Sequence, residues 1–227
     1  IGCIQLAVVV ILFFSLPLWK QNQQKVSPEA EEGRVSVGAL WKRAGVILSL
    51  LSFVVYVGLE GTIFLWGSSY LIEVKSLSAV TASFIISLFF ASLTAGRIIS
   101  GFITFWMTNQ KLLIVSQIIL LIGVFTVVIG SGSLLYGGFI LIGLGCAAIF
   151  PTMIHETPRR FGKRNSGAII GYQVAAGYIG ITVLPPLLGV LFQGFSMKLL
   201  PVFLVVFVLI LLGATIFIEK ERAQKKL

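Results

Sequence analysis

The stretch 134-LLYGGFILIGLGCAAIFPTMIHETPRRFGKR-164 decides what kind of chain this is. From Leu134 to Ile154 it carries no charge, and roughly 20 apolar residues make a helix long enough to cross a hydrocarbon core of about 30 Å. Cations then arrive together as Arg159, Arg160, Lys163 and Arg164. An uncharged run closed by a basic cluster reads as a membrane span that ends in the cytoplasm.

Outward from this stretch the same alternation fills the chain of 227 residues, which is 57% hydrophobic and 11% charged. A soluble domain is about a quarter charged and could not hide so much apolar surface. Seven spans are expected, over residues 1–19, 46–72, 80–105, 112–129, 134–154, 167–192 and 197–218. One side of the chain's path holds Lys20, Lys25, Arg34, Lys42, Arg43, Arg97, Lys111, the 159–164 cluster, Lys220, Arg222, Lys225 and Lys226. The other side has Lys75 and Lys198 alone. The positive-inside rule then predicts a cytoplasmic C-terminus and an exoplasmic first residue. The net charge of +9 is thereby topological, and nucleic-acid binding is not expected, because no basic domain exists.

The chain opens directly in an apolar run, with no initiator Met and no basic n-region of a signal peptide. An odd number of spans with an exoplasmic start reads as a chain cut out of something longer. Cys3 and Cys146 fall within spans and read as small packing residues. Residues 20–45 form the one long polar connection, with the Ser27-Pro28 turn, the acids Glu29, Glu31 and Glu32, and a candidate interfacial helix around Trp41. The remaining connections are short, so the last six spans are antiparallel neighbours, consistent with two three-helix units of opposite orientation. Glycines crowd the fifth and sixth spans, where small residues let helices approach closely in lipid. Pro151, Pro185 and Pro186 break the backbone ladder there.

Among single residues Glu60 is the most informative. It sits near the middle of the second span, where a charge costs roughly 2.5–3.5 kcal/mol on insertion scales, and no local basic residue neutralises it. It is protonated, paired from another helix, or facing water. Tyr56 and Phe64, at i−4 and i+4, share its face. The functional reading is a proton or solute site; the structural one is a protonated carboxyl bonded to a neighbour. The third span carries Ser83, Ser87, Phe90, Thr94, Arg97 and Gly101 on one helical face, either a water-accessible path or interface, or hydroxyls bonding their own backbone. Arg97 lies deep enough to need a partner or a long snorkel. Gln173 brings an amide with donor and acceptor capacity into the sixth span and suits sugar hydroxyls, whereas Gln117, among apolar neighbours, reads as structural. His155-Glu156 resembles a zinc-protease opening, but the chain has one His and no Asp, so zinc, Ser-His-Asp and paired-Asp proteolysis are excluded. No phosphate-binding Gly-rich Lys motif occurs. Enzymatic activity, cofactors and metals are not expected.

The run Gly96-Arg97-Ile98-Ile99-Ser100-Gly101, followed by Asn109-Gln110-Lys111, resembles the degenerate motif between the second and third helices of the C-terminal half in the major facilitator superfamily. Residues 143–152, the basic cluster through Arg164, Gly171-Tyr172-Gln173 and Pro185-Pro186-Leu187-Leu188-Gly189 are similar to the corresponding stretches of fucose-permease-like sugar transporters. Tyr56-Val57-Gly58-Leu59-Glu60 resembles the helix that opens that half. The resemblance implies an all-α membrane fold: residues 1–19 as the last helix of a truncated N-terminal half, 20–45 as the central cytoplasmic loop, 46–218 as a six-helix bundle of two three-helix inverted repeats, and 219–227 as a cytoplasmic tail. It implies alternating access around a central site, proton symport and a sugar as solute, in a plasma membrane such as the bacterial inner membrane. The second and fifth spans would line the cavity and the third and sixth would face the missing half. Glu60, Tyr56, Phe64 and Gln173 are then expected at the solute or proton site, with Arg97, Gly96 and Gly101 at a cytoplasmic gate or interface. The motif lacks the acidic residue and basic cluster of the full pattern. A non-transporting sensor or scaffold on the same fold is the rival reading.

Overall fold

The computed structural model describes residues 5–6, 9–15 and 44–224, and the chain divides into two compact units, Ile1–Ser36 and Val37–Leu227. In the first unit the described residues are helical. The expected interfacial helix around Trp41 and the polar connection lie outside the described residues, as does Cys3. The second unit is built from α1 (Ala44–Glu73), α2 (Ala79–Ile103), α3 (Asn109–Ile129), α4 (Ser133–Phe161), α5 (Lys163–Gly194), a 3-10 turn (Met197–Leu199) and α6 (Leu200–Gln224). The described residues contain six helices long and apolar enough to cross a membrane.

Short caps and tight turns explain how six long helices fold back on one another. Ser78 accepts a hydrogen bond from the Thr81 amide and so starts α2; its hydroxyl satisfies one of the N–H groups a helix start leaves free. Lys75 reaches across to the far end of α3, donating to the Val128 and Gly130 carbonyls at 2.9 Å each. Between α4 and α5 the turn is Gly162 alone, at φ 91°, a conformation open to glycine at no steric cost.

That last turn corrects the expected basic loop. The helix of the fifth span does not end near Ile154: α4 continues through His155, Arg159 and Arg160 to Phe161. The charges stay helical because they satisfy one another. Glu156, buried, pairs with Arg159 and with Arg160, and both arginines reach Glu219 of α6, at 3.3 and 3.2 Å. Glu and Arg at i,i+3 and i,i+4 reinforce a helix, and the second carboxylate ties α4 to α6.

The packing order supports two equivalent three-helix units. Helix α1 packs chiefly on α5, while α4 packs on α2; α1 also meets α6, while α4 meets α3. Exchanging α1–α3 for α4–α6 maps each of these contacts onto another, as an inverted repeat requires. The two crossings that swap partners are both built on a glycine. A Cβ at Gly180 of α5 would overlap the Val54 carbonyl of α1, and one at Gly143 of α4 would overlap Ser92 and the Phe89 carbonyl of α2. Small residues at these points let backbones touch, which in lipid replaces the hydrophobic drive of a soluble core. Phe53, Tyr56, Leu59 and Ile63 of α1 and Ile85 and Phe89 of α2 fill the centre.

Candidate functional site

The carboxyl of Glu60 emerges from the middle of α1 into a cavity of about 470 Å³ bounded by α1, α2, α4 and α5. Its walls are Val57, Phe150, Pro151, Val174 and Ile181, with Tyr178 exposed alongside, and the charged groups lining it are Glu60 and Arg97. Arg97 comes from α2, and its Nη2 stands 3.6 Å from Glu60 Oε1. At that distance the two charges attract but no hydrogen bond joins them. Of the three options open from the sequence, Glu60 thus takes two: it is paired from another helix, and it is partly accessible.

Tyr56, one turn back on α1, supplies the other contact. Its ring is fully buried, and its hydroxyl lies 2.8 Å from Glu60 Oε2 and 2.8 Å from the Cys146 carbonyl of α4. A phenol has a single proton to donate, and it faces two acceptors. With Glu60 ionised, the phenol can donate to only one of them at full strength. With Glu60 protonated, the carboxyl donates to the phenol oxygen and the phenol donates onward to Cys146, so every group is satisfied. The same heavy-atom positions therefore accept both protonation states with a rotation of one hydroxyl.

A second cavity of about 360 Å³ shares Arg97 and Pro151 with the first and is lined by Ser100, Gly101, Thr104, Asn109, Thr152 and His155. Its polar lining runs along α2 toward the end where the basic cluster lies. Gly101 borders this space, whereas Gly96 is packed inside the α2–α4 crossing, where a Cβ would sit 2.6 Å from that of Ala147. Ser83, Ser87, Thr94, Arg97 and Gly101 share an exposed face of α2. Ser87 and Thr94 bond the carbonyls of Ser83 and Phe90, so these two hydroxyls are satisfied within the helix although the face they share is exposed.

Three of the four expected solute-site residues are outside the cavity lining: Tyr56 touches it only through Glu60, and Phe64 and Gln173 stand apart. Phe64 is exposed and meets Phe90 edge-on, with ring centroids 5.6 Å apart. Gln173 is fully buried: its Nε2 donates to Ser49 Oγ at 2.7 Å and its Oε1 accepts from Thr157 at 2.9 Å. It is a clasp between α1, α4 and α5, closed to solute in this arrangement. Gln117 forms a similar tie, donating to Thr215 of α6 at 3.0 Å, as its apolar neighbours suggested. Residues that the sequence did not single out, notably Phe150, Val174, Tyr178 and the Cys146 carbonyl, complete the site. No local signal marks them, because their place depends on how α4 and α5 cross α1.

Six span-length helices, four of them bounding a cavity with an acid–arginine pair, define among the described residues a multi-pass membrane bundle built as a doubled three-helix unit. The family model of the Major Facilitator Superfamily matches residues 1–180 and again 109–227, and the chain belongs to that superfamily. Among curated proteins it is similar to "Bypass of stop codon protein 6" of Saccharomyces cerevisiae, at 27% identity over 173 residues, covering 71% of this chain and 35% of that protein. The chain thus spans about a third of the length of the curated relative it matches.

Proposed function

We propose that this chain is part of a secondary transporter that moves a small polar solute by alternating access, with Glu60 as its proton-handling group. The observation that carries the proposal is the Glu60–Tyr56–Cys146 arrangement beside Arg97. A carboxyl that loads and releases a proton must be stable in both states without rebuilding the helix around it. Arg97 offers counter-charge to the ionised form, and the phenol offers an acceptor to the neutral one. Glu60 lines the cavity and is partly exposed to it, which supports access to the carboxyl in either state.

The proposed solute is a sugar. A cavity with mostly apolar walls and few convergent polar groups fits a small polar molecule, and Phe150 and Tyr178 offer faces for its C–H surface while Arg97 and Glu60 meet its hydroxyls. The similarity of residues 143–152 and 185–189 to fucose-permease-like transporters supports the same class. Burial supports the roles of the helices: 67% of the apolar window of α1 and 56% of that of α4 is buried, against 33% for α2 and 28% for α5. Helices α2 and α5 are thereby free to face a second half, and residues 1–19 would end that half in the full-length protein. Gln173 supports the site from behind by clasping α1, α4 and α5.

The test is uptake by the full-length protein in proteoliposomes under an imposed pH gradient, with a panel of labelled sugars. Wild-type protein should accumulate one of them against its gradient, and Glu60→Gln should abolish accumulation while keeping solute exchange at zero gradient. Gradient-driven accumulation by Glu60→Gln at wild-type protein levels would remove Glu60 from proton handling.

A further inference from the structure

We infer that the end of the second unit opposite its basic cluster holds a cleft for an anionic phospholipid, with Lys75 and Lys198 at the headgroup and a wall of valines along the chain. The cleft, about 380 Å³, opens between the ends of α1, α3 and α6. Its polar lining is Tyr70, Lys75 and Lys198, and the rest is Val74, Phe125, Val128, Pro201 and the valines at 202, 205 and 206 of α6.

The two lysines are the pair that stand outside every basic group in the sequence, and they come from separate connections. The fold brings both to one cleft. Lys75 is held in place by its bonds to the Val128 and Gly130 carbonyls, which leave one of its three N–H donors free. The Lys198 ammonium forms no ion pair among the described residues, and Glu73, the acid on the same connection as Lys75, pairs with neither lysine. Tyr70 is 3% exposed, yet its hydroxyl makes no hydrogen bond among the described residues. That oxygen is not among the buried atoms left without a partner, so it opens onto the cleft, where its one proton can meet an acceptor on a ligand.

The walls select the occupant. Phe125, Val128, Val202 and Val206 are each more than a third exposed, so the cleft is continuous with the apolar outer faces of α3 and α6. A soluble anion would gain nothing from that surface, and a neutral lipid nothing from two cations. A phospholipid with net negative charge uses both: its phosphate meets Lys198, the free donor of Lys75 and Tyr70, and its acyl chain lies along α6. A zwitterionic headgroup fits less well, because it carries its own cation into the lysine pair.

The test uses the purified full-length protein in a nonionic detergent, titrated separately with short-chain phosphatidylglycerol, phosphatidylcholine of equal chain length and inorganic phosphate. Native mass spectrometry counts bound molecules. Wild-type protein should bind phosphatidylglycerol at least about tenfold more tightly than phosphatidylcholine, since each lysine near a headgroup contributes roughly a factor of five. Lys198→Gln, which removes an exposed ammonium and no structural bond, should weaken phosphatidylglycerol about fivefold and remove one bound lipid. Val206→Trp should fill the cleft and remove the same lipid with both lysines intact. Equal affinity for the two lipids, or an unchanged lipid count in both variants, would overturn the proposal. Competition by phosphate at the concentration of the lipid would also overturn it, and would assign the lysines to a soluble anion.

Discussion

Glu60 on α1 and Arg97 on α2 face each other at 3.6 Å across a cavity whose other walls are largely apolar. Neither is sealed off, since Arg97 is about half exposed, so the pair is a poor device for stability: exposed ion pairs contribute about 0–1 kcal/mol. Charges kept at membrane depth for so little stabilisation point to mechanism. Arg97→Ala should therefore leave membrane content and melting temperature close to wild type while lowering gradient-driven uptake about tenfold or more, the scale of one lost charge-assisted contact. Arg97→Lys should recover part of it. Uptake at the wild-type rate by Arg97→Ala would reduce the residue to a snorkelling anchor.

Gln173 makes a different demand. Its two hydrogen bonds lie within the bundle, so Gln173→Leu should cost stability on the scale of membrane side-chain bonds, about 0.6–2 kcal/mol. Thermal midpoint should fall while the KM for solute stays within about twofold, because the amide does not line the cavity in this arrangement. A raised KM with an unchanged midpoint would return Gln173 to the solute site.

These two residues show how far the sequence could be read. An acid and an amide in apolar runs give the same signal, a polar group where it is expensive, and hydropathy cannot tell a clasp from a binding group. The Tyr56–Glu60 contact was legible because i,i+4 spacing places it within one helix. Its partner Arg97 was not, because the approach of α2 to α1 depends on how all six helices pack. The six spans were readable from length and charge alone. The ends were less so: α4 outran its apolar run to Phe161 because Glu156 neutralises Arg159 and Arg160 inside the helix. Pairing of that kind, completed by Glu219 from the far end of the chain, is a tertiary fact.

The glycine crossings separate packing from composition. Gly180→Ala places a methyl on the Val54 carbonyl, and overpacking of this kind costs typically 1–3 kcal/mol. Gly171→Ala lies on the same helix, and its methyl would meet nothing within 4 Å. The first should lower the yield and thermal midpoint of folded protein, and the second should be neutral. Equal effects at both positions would mean that α1 and α5 do not touch at Gly180.

The charge distribution predicts an orientation in the membrane, and the fold allows a sharper test of that prediction. Lys75 and Lys198 lie at one end of the bundle, sharing a cleft, whereas Arg159 and Arg160, paired with Glu219, and the nearby start of α5 at Lys163 lie at the other. The positive-inside rule assigns the first end to the exoplasmic side. Single cysteines at 75, 198 and 163, in full-length protein with every native cysteine, Cys3 and Cys146 included, replaced by alanine, should then divide cleanly. A membrane-impermeant maleimide applied to intact cells should label Lys198→Cys and Lys75→Cys, and should label Lys163→Cys only after permeabilisation. Lys163 is the better probe of the basic end than Gly162, because φ 91° would strain a cysteine there, and better than Arg160, whose side chain is buried. Lys75→Cys also removes the bonds to the end of α3, so Lys198→Cys carries the exoplasmic result. Labelling of 163 but not 198 in intact cells would invert the bundle, and labelling of both would break the alternation of the spans on which the cavity at Glu60 depends.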